Sequence, residues 1–231
     1  MPTTTTKARP LLLRPWEVAA TLAGRKTMLR RVMKTQPPEG ATEVRAEYSH
    51  GELTATYRAF PGQGSARWGI EECPLGDVGD RLNILEPWAV RGRHTDKATS
   101  SEVAMNPAHY QIWTHSQCFE NGRERFNLDF LGRWRPQEEM PLWAAKHVVE
   151  NLSIRVERLG DISEADAIAE GLIPAVGPCR TPMWEYSATR GGQFDDLRVA
   201  YRFLWESMYG AGSWDPQKWV WVVGYKPVEG E

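Results

Sequence analysis

The chain has 231 residues, 41% hydrophobic and 25% charged, with a net charge of −2. That balance excludes an intrinsically disordered or collagen-like chain, and no apolar run approaches the roughly 20 residues that span a bilayer. Three widely spaced cysteines, Cys73, Cys118 and Cys179, argue against a disulfide framework and a structural zinc site, and a cytoplasmic protein is expected.

In chain order, residues 1–10 read as a disordered tail, with four consecutive threonines. Pro15 then suits a helical first turn, Trp16, Ala19, Ala20 and Ala23 form one face, and Gly24 ends the helix. "TMLRRVM" enters a strand. Two alternating segments around Ser49-His50-Gly51 predict a hairpin over 43–60, and "PGQGSARWG" a loop. "DRLNILEPWAV" reads as one strand with Leu82, Ile84 and Glu86 on one face.

Residues 91–140 are the least regular stretch and read as an elaborated loop region. "HVVENLSIRVERL" is strand-like. "DISEADAIAEGL" is a helix with Ser163 as N-cap, Asp166 completing a capping box and Gly171 closing it. A Pro- and Gly-rich loop is expected over about 172–195. An amphipathic helix follows, with Leu197, Tyr201, Leu204, Trp205 and Met208 on its inner face, and "KWVWVVGYKPV" is the last strand. Most of the 11 tryptophans are expected in the core. Together these elements predict an α+β fold: one domain over 11–227 with a partly closed sheet.

Charge is uneven. Residues 1–34 hold eight Lys/Arg and a single acid, a balance of +7, against −9 for the remainder. The excess concentrates at Arg25, Lys26, Arg30 and Arg31, which points to a local anionic partner. No phosphate-binding glycine loop or dinucleotide fingerprint accompanies it, so no cofactor is expected. The scattered histidines give no metal-ligand pattern. A second mixed run, from Arg123 through Arg125, Phe126, Phe130, Arg133 and Trp134 to Arg135, fits single-strand binding by stacking and phosphate contact. It fits equally an arginine-rich loop packed on the domain.

"GRKTMLRR" resembles the GxKxxExR motif of ASCH domains, a branch of the PUA-like superfamily, at Gly24, Lys26 and Arg31. The order of "CPLGDVGDRLNILEPWA", "WRPQEEMPLWAAK", "VERLGDISEADAIAEGL" and "FLWESMYG…WVWVVGYK" is similar to ASCH proteins of bacteriophages and prophages, over most of Leu11 to Pro227. This resemblance implies a small β-barrel with flanking helices and inserted loops. Its cleft, lined by Gly24 and Lys26, suits RNA or a nucleotide. Some members are amidohydrolases on N4-acetylcytidine, using a lysine, a threonine and a glutamate; others are reported as single-strand ribonucleases.

Carried over, Lys26 and Glu170 take the lysine and glutamate positions. Leu29 stands where the motif has glutamate and the amidohydrolases have their nucleophilic threonine. Thr27 is the nearest hydroxyl, but in an extended chain it lies about 6–7 Å away along the strand, a displacement that weighs against a covalent mechanism. Arg31 reads evenly as a phosphate contact or as an ion pair with Glu86 or another carboxylate, and Trp88 as a base-stacking residue or as a core indole. Glu86 is expected to hold Lys26 or Arg31. The leading expectation is RNA or nucleotide binding through Gly24, Arg25, Lys26, Arg30, Arg31, Glu86, Trp88, Arg133 and Trp134. Hydrolysis of a modified pyrimidine nucleoside through Lys26, Thr27 and Glu170 is the alternative, and a phage accessory or assembly role is a third.

Overall fold

A computed structural model describes residues 9–49, 52–58, 67–92, 98–108, 110–120, 123–125, 127–176, 182–186 and 194–228. The expected tail at 1–8, the three histidines His50, His94 and His109, Phe126 and Cys179 lie outside them. Arg9 and Pro10, expected in the tail, instead open strand β1 (Arg9–Leu12). Helix α1 (Pro15–Leu22) begins as expected with Pro15 in its first turn, and the Glu17 carboxylate accepts the Arg14 N–H at 2.9 Å. Gly24 follows at φ +68°, the left-handed geometry that releases the chain. Then come β2 (Met28–Val32), β3 (Thr42–Ser49), β4 (Glu52–Arg58), β5 (Arg67–Glu72), β6 (Arg81–Leu85) and β7 (Trp88–Val90).

The 91–140 region carries α2 (Ser100–Met105), β8 (Ile112–Thr114), α3 (His115–Cys118), β9 (Phe119–Glu120) and β10 (Arg123–Glu124). The remaining elements are β11 (Val148–Arg158), α4 (Glu164–Ala169), β12 (Leu172–Val176), β13 (Pro182–Tyr186), α5 (Leu197–Tyr209) and β14 (Trp219–Val228). No helix among the described residues is long and apolar enough to cross a membrane.

The fold is α+β, richer in strands than in helices, and it falls into two compact units. The first comprises Met1–Ala23, Arg81–Glu150 and Pro227–Glu231. In it β1 runs parallel to β6, with Leu12 opposite Leu85, and β6 is antiparallel to the start of β11. The expected single strand over 80–90 is two strands, because Pro87 has no N–H to donate and separates β6 from β7. β7 pairs instead with β8, Trp88 opposite Thr114. A cluster of Leu85, Trp88, Val90, Val103, Ile112, Met140 and Ala144 forms the core here.

The second unit comprises Gly24–Asp80 and Asn151–Lys226. Here the order is β11-β14-β2, with β14 antiparallel to β2 and Val223 opposite Leu29. The stretch Val220–Val223 is buried throughout, as a strand covered on both faces requires. β3, β4 and β5 form a separate antiparallel meander; β5 replaces part of the expected 61–69 loop. β12 and β13 form a hairpin inside the expected 172–195 loop. α5 buries Ala200, Tyr201, Leu204, Trp205 and Met208. Leu197, expected on that face, is half-buried in its first turn. The expected barrel is not formed: none of the sheets among the described residues closes on itself.

Candidate functional site

The sequence around Gly24 delivers Lys26 into the interior of the second unit. The Thr27 N–H donates to the Ala169 carbonyl at 2.9 Å, and the Thr27 carbonyl accepts from Tyr225 N–H at 2.8 Å. Thus pinned, the chain buries Lys26 to 1% exposure. Lys26 Nζ donates to Glu170 Oε2 at 3.1 Å and to the Glu170 carbonyl at 3.0 Å. Glu170 stands at the end of α4, held there by the Ser163 cap, whose hydroxyl accepts the Asp166 N–H at 3.2 Å. The reciprocal half of the expected capping box is replaced by ion pairing: the Asp166 carboxylate binds arginines.

Arg30, two residues along from Met28 at the start of β2, lies wholly inside this cluster. Its Nη1 donates to Glu170 Oε1 at 3.0 Å, and its Nη2 donates to Asp166 Oδ2 at 2.9 Å and to Glu157 Oε1. Arg155 closes the network onto Glu157 Oε2 at 3.0 Å and onto Asp166. Three cations face three carboxylates, the near-neutral balance that burial demands. Burial works against the Arg30 charge, but Glu170, Tyr201 and Glu157 more than offset it and its pKa rises. Burial pushes the Tyr201 phenol well above its ordinary value, and the charge of Glu170 adds to this. The Tyr201 hydroxyl, Trp205 indole N–H and Arg30 Nε are buried without a hydrogen-bond partner among the described residues.

The remaining expected cations take other positions. Gly24 and Arg25 are exposed. Arg31 is half-buried and donates to the Tyr209 hydroxyl, which itself donates to the Arg30 carbonyl at 3.3 Å. Beside Arg31 lies a cavity of about 330 Å³ lined by Arg31, Val32, Lys34, Glu71, Glu72, Pro74 and Leu75. Glu71 fixes its wall: the carboxylate accepts from Thr35 N–H at 2.8 Å, Lys34 N–H at 3.2 Å and the Trp221 indole at 2.9 Å. The volume is at the small end of ligand pockets. Its apolar Val32, Pro74 and Leu75 can meet a ring face, and Arg31 and Lys34 can meet an anion.

Compared with protein-family models, curated proteins and solved structures, the chain shows no significant match. The geometry alone therefore sorts the expected residues. Lys26, Glu170 and Arg30 converge. Thr27 is half-buried at the edge of β2, and Leu29 is 2% exposed.

Glu86 and Trp88 are placed differently from their expected roles. Glu86 is buried in the first unit, where its two oxygens accept from Ser116 N–H at 2.6 Å and Ser116 Oγ at 2.7 Å. The carboxylate on Lys26 is Glu170. Ser116 Oγ also lies 3.0 Å from His147 Nε2. Since a carboxylate only accepts, the Ser116 proton points to Glu86 and His147 Nε2 carries the proton of the second bond. Trp88 is 0% exposed, with Arg135 over its ring at 5.0 Å and its N–H on the Pro136 carbonyl at 3.2 Å. Neither ring face is open to a base. Arg133 and Trp134 are exposed.

Arg155, Glu157, Asp166 and Tyr201 are the residues that sequence reasoning missed. A signal existed for two of them: Arg155 and Glu157 are two apart on a strand, hence on one face and able to pair.

Proposed function

We propose that the second unit is an ASCH-like, PUA-like module that binds RNA or a nucleotide at the Arg31 cavity. The observation that carries this reading is the cavity itself, which lies against the cationic stretch and has Arg31 and Lys34 on its wall. The buried network supports it by a division of labour. Lys26 and Arg30 are held by carboxylates inside the network and act as the frame, while Arg25, Arg31 and Lys34 lie outside it. Each phosphate neutralised contributes about 0.7 to the single-strand salt slope. The double variant R31A/K34A should therefore flatten the dependence of oligoribonucleotide affinity on salt by about 1.4. Equal slopes for variant and wild type would remove both residues from the binding surface.

A second reading, amide hydrolysis of an acylated cytidine, is favoured by one observation. Lys26 and Glu170, 144 residues apart, meet at 3.1 Å, and the ASCH resemblance assigns them the lysine and glutamate of the amidohydrolase members. Against it stands Leu29, apolar and buried. Thr27 has both backbone groups committed, so little freedom remains to carry its hydroxyl to the Leu29 position. Leu29→Thr supplies a hydroxyl there, and activity should stay at background because a buried ion pair without access cannot act as a base. Turnover of N4-acetylcytidine by L29T that disappears on adding Glu170→Gln, in a double variant whose circular dichroism shows it still folded, would favour the hydrolase.

A further inference from the structure

The wall of the Arg31 cavity has an anion of its own. Glu71, near the end of β5, is half-buried and reaches from the β3–β4–β5 meander to the β2–β14 ladder. There three N–H groups meet its carboxylate. Oε1 accepts from the Trp221 indole at 2.9 Å and from Lys34 N–H at 3.2 Å, and Oε2 accepts from Thr35 N–H at 2.8 Å. Trp221 stands opposite Arg31 in the ladder, so the two side chains share a face. Lys34 and Thr35 are consecutive, and successive backbone N–H groups form the concavities that hold anions.

The charges on this wall balance, Arg31 and Lys34 against Glu71 and Glu72. An anion entering with Glu71 in place would meet two carboxylates and find the N–H groups engaged. An anion that displaced Glu71 would take over three donors with Arg31 and Lys34 beside them. Lys34 and Thr35 are exposed, so these donors are reached from solvent and the released carboxylate regains water.

Such an exchange selects by charge. A carboxylate carries one negative charge, and so does an internal phosphodiester, which gains nothing by replacing it. A phosphomonoester carries about −1.5 to −2 at pH 7 and offers three strong acceptor oxygens. The cavity, about 330 Å³, has the volume of a small-ligand pocket, which suits a single terminal unit.

We propose that Glu71 is the built-in occupant of a phosphate subsite, and that a phosphomonoester binds the cavity by displacing it. The phosphomonoester is that of a free nucleotide or of an oligonucleotide end. The attached nucleoside rests on the RNA or nucleotide reading of this cavity; the subsite itself needs only the three N–H donors and the two cations.

The test is titration of the full chain, followed by tryptophan fluorescence and by the denaturant midpoint. The probes are inorganic phosphate, uridine 5′-monophosphate, and a short oligouridylate with and without a terminal phosphate. Glu71→Gln keeps the shape and removes the charge, so it should bind inorganic phosphate about 10-fold more tightly than wild type, the effect of one like charge removed at close range. Glu71→Ala frees the three donors. Acetate, standing in for the lost carboxylate, should raise its midpoint and leave that of wild type unchanged. A carboxylate that only ties the two sheets together predicts lost stability in both variants with no gain in phosphate affinity.

Wild type should bind the phosphorylated oligouridylate more tightly than the unphosphorylated one. Uridine 5′-monophosphate binding as tightly as the phosphorylated strand would make the ligand a free nucleotide, and tighter binding of the strand would make it a chain end. Phosphate affinity no higher in Glu71→Gln than in wild type would overturn the proposal, even where Glu71→Ala fails to fold. So would equal binding of the two oligouridylates. A gain in Glu71→Gln with no effect of R31A/K34A on the salt slope would keep the subsite and remove the RNA reading. The reverse pair of results would remove the subsite alone.

Discussion

At the scale of single residues, Glu170 is the member on which the buried network depends. Lys26 and Arg30 both bind its carboxylate, and neither has access to solvent. Glu170→Gln preserves shape but removes the charge, leaving two buried cations against two partly exposed acids. Breaking a buried pair on one side typically costs about 3–5 kcal/mol, and denaturant unfolding should show a loss of that order. Lys26→Met removes a cation together with its desolvation cost and should cost less. A loss for E170Q no larger than for K26M would mean that the network is solvated in solution. Leu29 belongs to the same argument: it is buried opposite Val223 in the β2–β14 ladder, a position that packing fills with an apolar side chain.

At the scale of elements, close approach decides which glycines are replaceable. Gly160, in the turn after β11, donates its N–H to the Pro216 carbonyl at 3.0 Å. A Cβ there would stand 2.6 Å from Pro216 Cβ and 3.0 Å from its carbonyl oxygen, contacts with rigid groups. At Gly224 in β14 a Cβ would meet the Ser153 hydroxyl at 2.6 Å, the movable tip of an exposed side chain. Gly160→Ala should thus cost about 1–3 kcal/mol by overpacking, and Gly224→Ala clearly less; thermal unfolding of the two variants checks the order.

The elements legible in the sequence were those with a period and a punctuation mark. α1 has Pro15 and Gly24, α4 has Ser163 and Gly171, and α5 has its apolar stripe. The β3–β4 hairpin and strands β11 and β14 have their alternation or their apolar run. β5, β12 and β13 were hidden because Gly and Pro within and beside them carry turn signals that outweigh their pairing, which only tertiary neighbours supply. The site followed the same rule. Lys26 and Glu170 were reachable through a motif resemblance. The partners of Arg30 lie more than 120 residues away in the chain, and Glu86 was misplaced because nothing local shows which carboxylate will face which cation.

For the whole molecule, the titrating groups predict how stability responds to pH. His115 and His147 are half-buried in the first unit, and both have pKa values below the ordinary 6.5. For His115 the cause is burial. For His147 burial acts first, with Glu86 opposing it and Lys146 adding to it. A depressed histidine binds its proton more weakly folded than unfolded, so the unfolded chain takes up more protons just below pH 6.5. The contribution of these groups is complete above 6.5 and is lost as pH falls through their folded values.

On the alkaline side the sign reverses. Burial raises Cys118 from 9.0 to about 11, assisted by Glu86 and Glu124, and Tyr201 also lies above its ordinary 10.0. Their contributions hold below the unfolded values and decline as pH rises past about 9. Stability should therefore be greatest between roughly pH 6.5 and 9. His115→Phe keeps the ring stack on Phe119 and removes the proton site, so it should flatten the acid limb while leaving the alkaline limb unchanged. Cys118→Ala should flatten the alkaline limb alone. Denaturant midpoints measured from pH 5 to pH 10 on the three proteins check both limbs. An acid limb of unchanged steepness in the phenylalanine variant would mean that His115 is not among the groups that set it.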